Sequence, residues 1–204
     1  MELSGGLREL KSARTREAIE RAALELALEQ GFAHTTVEQI ATRAEVAPRT
    51  VFSHYPTKES IVFGAYSTGP EDFRGWLEGD DGDLVERLAN FLKRRLDRDA
   101  EHTYRERLRL RVILTDPHLR QVLRGKLDEA ERRIAARLTD ELGLAANDTG
   151  AQVFAAAVSG MFLTMAERAL DHPDDFDPRR ECERGLAVLG AALDALRAAP
   201  TPGA

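Results

Sequence analysis

Apolar residues recur along this chain at intervals of three and four, and nowhere in strict alternation, so the pattern predicts helices throughout. Between Ser12 and Gln30, the residues Ile19, Ala22, Ala23, Leu26 and Ala27 share one face. Gly31 then supplies a left-handed stop and Phe32 the apolar contact that follows it. A second, short stripe of Val37, Ile40, Ala41 and Ala44 is opened by Thr36 and Gln39, spaced as a capping box. Val46 plugs the turn after it. Pro48 suits the first position of a third helix, where a missing N–H has no partner to lose, and Val51 and Tyr55 point back to the core. Pro56 ends that helix, and Thr57 caps a fourth that starts at Lys58 and runs to about Tyr66. The glycine-rich stretch 68–83 reads as a loop. Beyond it the periodicity predicts helices over 84–98, around 104–114, from Pro117 to Gly143, from Asn147 or Asp148 to about Leu170, and from Pro178 to about 199. The expected fold is all-α with about nine helices.

The segment from Thr35 to Ser60 has the spacing of a helix-turn-helix, with its second helix carrying polar groups on the outward face. Such a helix reads base edges in a major groove while its neighbours hold phosphate. Arg49 can pair bidentately with guanine O6 and N7, and Thr50 can bond phosphate or pack on a thymine methyl. His54 and Lys58 suit phosphate contacts. Thr36 can place its helix N-terminus against the backbone as well as cap it. Pro48, Phe52 and Ser53 complete the expected DNA-facing set. The bland alternatives stand beside these roles: a cap only for Thr36, a surface imidazole for His54, and a solvated arginine for Arg49.

The Gly-Phe at 31–32, TTVEQIA at 35–41, VAPRTVFSHY at 46–55 and TKES at 57–60 together resemble the TetR-type transcriptional regulators. The resemblance covers about the first 60 residues, the remainder matching only in size and helical texture. There are three departures. Glu45 stands at a turn position where the family usually has glycine, and Ala47 replaces the usual capping serine or threonine. Phe52 stands where a tyrosine often donates to phosphate. The resemblance implies a helix-turn-helix DNA-binding domain over 8–56, a helical effector-binding and dimerisation domain over 57–199, and a disordered tail over 200–204. It also implies a homodimer on a palindromic double-stranded operator, released by a small molecule. In the family the last two helices of each subunit build a four-helix interface with a ligand cavity beside it.

The helix over 149–170 is the least polar of the set. Val153, Ala157, Gly160 and Thr164 form a small-residue face, and Phe154, Val158, Met161, Phe162 and Met165 a bulkier one. A helix apolar on most sides is buried on most sides. Gly185, Leu186, Leu189, Ala192, Leu193 and Leu196 give the final helix a matching seam, for a partner or for the chain's own core. Phe63, Trp76, Phe91, Leu114, Phe154, Met161 and Met165 are candidates to line a cavity for an apolar or aromatic effector, or to be plain core.

Charge changes the picture little. The 204 residues carry a net charge of −6, and residues 1–60 hold 8 Lys/Arg against 9 Asp/Glu, which is not the profile of a basic DNA-binding protein. Distribution matters more. Arg8, Lys11, Arg14 and Arg16 cluster with only Glu9 among them, and Ala47 to Lys58 contains no acid. A helical protein-interaction module without sequence-specific DNA binding is the rival reading. The five histidines are scattered, and no HExxH, GxSxG, phosphate-cradling glycine loop or CxxC pair is present, so neither an enzyme nor a cofactor nor a metal is expected. The single cysteine, Cys182, and the polar opening point to the cytoplasm. No apolar run approaches the ~18 residues of a membrane span. Arginine outnumbers lysine 25 to 4, a bias of GC-rich bacterial coding sequences.

Overall fold

A computed structural model of the chain describes residues 3–64, 76–77, 82–97 and 100–198, among which nine α-helices and no strand are found. The expected tail over 200–204, and most of the glycine-rich stretch 68–83, lie outside the described residues. The helices are α1 (Leu3–Gln30), α2 (Val37–Arg43), α3 (Pro48–His54), α4 (Lys58–Phe63), α5 (Leu84–Leu96), α6 (Ala100–Thr115), α7 (Pro117–Leu142), α8 (Thr149–Asp171) and α9 (Pro178–Ala198). The expected starts of α2, α3 and α4 agree. However, α4 ends at Phe63, capped by Gly64, short of the expected end near Tyr66, which lies outside the described residues, and α6 starts at Ala100 rather than near Tyr104. The first helix starts at Leu3 rather than Ser12, because a polar, glycine-containing opening gave no apolar stripe from which to read it.

The chain forms two compact units, Met1–Gly69 with Ala100–Arg120, and Pro70–Asp99 with Gln121–Ala204. In the first, α1 packs against α2, α4 and α6. Its core gathers Ile19, Ala22, Ala23 and Leu26 from α1 with Ile40, Ala41, Val51, Tyr55 and Ile61. Gly31 takes a φ of 86°, and Phe32 beyond it is buried. Gly64, the C-cap of α4, also has positive φ (50°), and a Cβ there would overlap the Arg109 guanidinium.

In the second unit, Leu84, Leu88 and Leu92 of α5 present an i, i+4 ridge to Ile134 and Leu138 of α7, Phe154 and Val158 of α8, and Leu189 and Leu193 of α9. The ends follow from sequence. Asp116 accepts from Leu119 N (3.0 Å) to open α7, Asp148 accepts from Ala151 N (2.9 Å) to open α8, and Asp177 accepts from Arg179 N (3.0 Å) to open α9. Arg87, buried against this core, donates Nε to the Trp76 carbonyl (2.9 Å) and Nη1 to that of Gly82 (2.7 Å), and pairs with Glu141.

Two expectations for α8 and α9 need correction. Residues 149–166 contain no charge, and α8 holds an 18-residue window of mean hydropathy 1.4. By length and composition it can therefore cross a bilayer, although no continuous apolar run marks it in the sequence. Nor is α8 buried on most sides: 22% of that window is buried within the chain. Phe154 and Val158 enter the core, while Val153, Ala156, Ala157 and Gly160 are exposed. The α9 residues Leu186, Leu189, Ala192, Leu193 and Leu196 face the chain's own core, and Gly185 meets Met161. The exposed side of α9 is a different one, Ala187, Val188, Ala191 and Ala195.

Candidate nucleic-acid interface

The head is built by caps. Thr36 accepts from Gln39 N (3.2 Å), and the Gln39 side chain accepts from Thr36 N (2.8 Å), completing the capping box. Gln30 donates to the same Gln39 oxygen (2.9 Å), tying the end of α1 to the start of α2. The turn closes through Val46 N to the Ala41 carbonyl (2.9 Å), and Glu45 takes a φ of 54°. A side chain in this left-handed region costs on the order of 1 kcal/mol, which the expected glycine would avoid. Thr57 and Ser60 form a second capping box at α4.

Ala47 occupies the N-cap of α3 in extended conformation (φ −72°, ψ 145°) with no side-chain cap bond. The backbone is already in cap geometry, so Ala47→Ser is expected to stabilise the fold by about 1 kcal/mol. Urea denaturation followed by circular dichroism checks this, and an unchanged midpoint would mean that α3 gains nothing from the hydroxyl.

On α3, Pro48, Arg49, Phe52 and Ser53 are exposed, Thr50 and His54 half-buried. These six therefore share one outward surface, with Val51 buried behind them. Phe52 is 56% exposed, a large apolar ring with no internal role. The Ser53 hydroxyl donates to the Thr50 carbonyl (2.7 Å). Lys58 stands apart from the group. Its ammonium donates to the carbonyls of Phe32 (2.8 Å) and Thr35 (2.9 Å) and lies 4.2 Å over the Phe32 ring. It closes the α1–α2 connection, whose free carbonyls need a donor more than a distant phosphate does. On the far face of that connection, His118 stacks on Phe32 and bonds Glu59 (3.0 Å).

A buried ionic hub holds the end of α3. The Tyr55 hydroxyl donates to Glu20 (2.6 Å), and Arg109 donates to the other oxygen of that carboxylate (2.6 Å). Arg109, 1% exposed, also pairs with Glu106 (3.1 Å) and donates to the Val62 carbonyl. Arg105 pairs with Glu17 (3.5 Å) and lies 3.9 Å from Glu20. Sequence reading missed this hub, yet a signal exists: Arg105 and Arg109 fall on the same helical face as the buried Val112 and Ile113.

Burial and then the Glu20 carboxylate raise the Tyr55 phenol well above its ordinary value of 10.0. A raised value means that the folded state holds its proton more tightly than the unfolded one. The stabilisation is complete below pH 10 and is lost as pH climbs above it. Tyr55→Phe should therefore flatten the alkaline fall of stability by about one proton, read from denaturation midpoints between pH 9 and 11. Parallel curves for both proteins would contradict it.

The seven expected effector residues do not share one cluster. Phe63 and Leu114 belong to the first unit, Phe63 fully buried and Leu114 partly. Trp76 and Phe154 are buried in the core of the second, with Phe91, Met161 and Met165 packed against it. A cleft of about 150 Å³ in the first unit, lined by Ala27, Phe32, Val112 and Pro117 among others, involves none of them. It is smaller than the ~300–1,000 Å³ of common ligand pockets.

Two family models match. Residues 19–65 match "Bacterial regulatory proteins, tetR family", and residues 89–194 match "MftR C-terminal domain". The likeness thus extends beyond the head, where the sequence alone offered only size and helical texture. The chain is 30% identical over 180 residues to the "Putative mycofactocin biosynthesis transcriptional regulator MftR" of Mycobacterium tuberculosis, covering 86% of each. It is 51% identical over 73 residues to the "HTH-type transcriptional regulator TcmR" of Streptomyces glaucescens, spanning 36% of this chain and 32% of that one. In fold it is similar to NalD of Pseudomonas aeruginosa, a repressor of a multidrug efflux pump, with a TM-score of 0.61 at 24% identity, covering 89% of this chain and 97% of that one.

Proposed function

The chain belongs to the TetR family of bacterial regulatory proteins, which are DNA-binding transcriptional regulators, and from that premise we propose that it is a homodimeric repressor released from a palindromic operator by a small apolar or aromatic effector. One observation carries the DNA half of this reading. The outward face of α3 presents Arg49, Thr50, Phe52, Ser53 and His54 with no acid among them, on a helix set between two capped neighbours and anchored by a buried hub. Pro48 starts the helix, and the Thr36 cap turns the amino end of α2 toward backbone phosphate. Lys58 supports this surface from within rather than touching DNA. Residues 8–56 read the operator in this scheme, and 57–199 dimerise and bind effector.

Dimerisation rests on α8 and α9. Val153 and Val188 are 64% and 68% exposed, each amid small apolar residues, with Arg184 the charge beside Val188 on the α9 face. A second copy covers that face more economically than solvent or a bilayer does, and a twofold axis matches a palindrome. Effector contacts fall to Trp76, Phe91, Phe154, Met161 and Met165, all in the second unit. Release requires that the effector bind the non-operator form more tightly, since equal affinity shifts nothing. The protein works by binding, in the cytoplasm, where Cys182 stays a buried thiol.

The test pairs two measurements. Sedimentation should give twice the 22.6 kDa chain mass. Fluorescence anisotropy should give competitor-resistant binding to DNA from upstream of the protein's own gene. A monomer that binds only unspecifically, or not at all, would replace this reading by a helical protein-interaction module.

A further inference from the structure

The amino-terminal part of α1 carries charge where it carries no core. The helix starts at Leu3, yet its first buried described side chain is Ile19, so some ten described residues before it enter no core. Tertiary packing gives most protein helices their stability, and here it is limited to the partly buried Ser12, Ala13, Thr15 and Ala18. Arg8, Lys11, Arg14 and Arg16 are all exposed, with Glu9 the only acid between them. None of the four makes an ion pair among the described residues. The next two carboxylates along the helix are already engaged, Glu17 by Arg105 (3.5 Å) and Glu20 by Arg109 (2.6 Å). The cations are therefore left without local compensation on a chain of net charge −6.

Position gives this charge a partner. Glu20 holds the hydroxyl of Tyr55, the residue that ends α3, so α1 continues past the carboxyl end of the recognition helix. From Glu20 back to Arg8 is about 18 Å at 1.5 Å per residue, more than the ~12 Å width of a major groove. The recognition face itself is short of cations: Lys58 is engaged with carbonyls, and Arg43 is paired with Glu29 (2.6 Å). We propose that the α1 overhang is a second DNA-binding element, in which Arg8, Lys11, Arg14 and Arg16 hold backbone phosphates beside the half-site read by α3. The proposal rests on the DNA-binding reading above. It adds a sequence-independent, salt-sensitive component that fixes position without specifying bases.

The experiment compares wild type with the triple variant Arg8→Ala/Lys11→Ala/Arg14→Ala and with the charge-keeping Arg8→Lys/Arg14→Lys. Each is titrated against a duplex selected by the wild-type protein from a randomised library, and against a mixed-sequence duplex, over a salt series. For each protomer on its half-site, the alanine variant should lower the slope of log Kd against log salt by about 2–3, with the affinity gap widening by about 16- to 64-fold between 0.2 M and 0.05 M salt. Its sequence preference and thermal midpoint should not move, since the side chains are exposed, and the lysine variant should keep the wild-type slope. Equal slopes for wild type and alanine variant overturn the proposal while leaving the regulator reading intact. A wild-type protein that binds neither duplex overturns both.

Discussion

Arg49→Ala is expected to weaken binding to the selected operator by roughly 1–3 kcal/mol per half-site, about 5- to 150-fold, while binding to mixed-sequence DNA falls far less. The side chain is exposed near the start of α3 and makes no ion pair or hydrogen bond among the described residues, so its removal leaves no internal partner stranded. Thermal stability should stay within about 0.5 kcal/mol, as for other exposed sites. A bidentate arginine needs both guanine acceptors. Replacing guanine by 7-deazaguanine at the contacted position should therefore cost wild type most of the same energy and cost Arg49→Ala almost nothing. Equal losses on specific and mixed-sequence duplexes would place Arg49 on phosphate and leave Thr50 and Phe52 to read the bases.

Much of the head was legible because its caps are written locally. Thr36 with Gln39, Pro48, and Thr57 with Ser60 each fix a helix start within four residues, and all three starts stand where the spacing put them. The departures at Glu45 and Ala47 were equally readable, one becoming a positive φ and the other an uncapped helix. What escaped depends on non-local partners. Lys58 is drawn inward by carbonyls 23 and 26 residues away, a competition that no helical wheel displays. The overhang of α1 was hidden because a helix without an apolar stripe has no period to detect. In α8 both faces are apolar, so periodicity could not tell which one meets the chain's own core. Bulk decides it: Phe154 and Val158 fill the interior of the second unit, while Val153 and Ala157 remain outside. The effector residues were the least legible, since large apolar side chains serve core and cavity alike.

The largest effect on stability is expected from Arg109→Ala, a loss of about 3–5 kcal/mol, as is usual when one partner is removed from a buried ion pair. Three acceptors each lose a charged donor together: the Glu20 carboxylate, which keeps the Tyr55 hydroxyl, the Glu106 carboxylate and the Val62 carbonyl. Glu20 and Glu106 are 13% and 15% exposed, so water solvates them poorly. The loss is large beside the roughly 5–15 kcal/mol that separates most folded domains from their unfolded chains. Urea midpoints followed by circular dichroism measure it directly. The double variant Glu20→Gln/Arg109→Met distinguishes charge from packing. It removes the poorly solvated Glu20 anion, keeps an acceptor for the Tyr55 hydroxyl and fills much of the guanidinium's volume with an apolar chain. It should recover at least about 1–2 kcal/mol relative to Arg109→Ala, a non-additivity proper to contacting groups. Because the hub ends on Tyr55, directly after α3, the two variants should also rank in operator affinity as they rank in stability. A cost below about 1 kcal/mol for Arg109→Ala would mean that the hub behaves as a solvated surface pair, and the recognition helix would then depend on its apolar core and its capped neighbours alone.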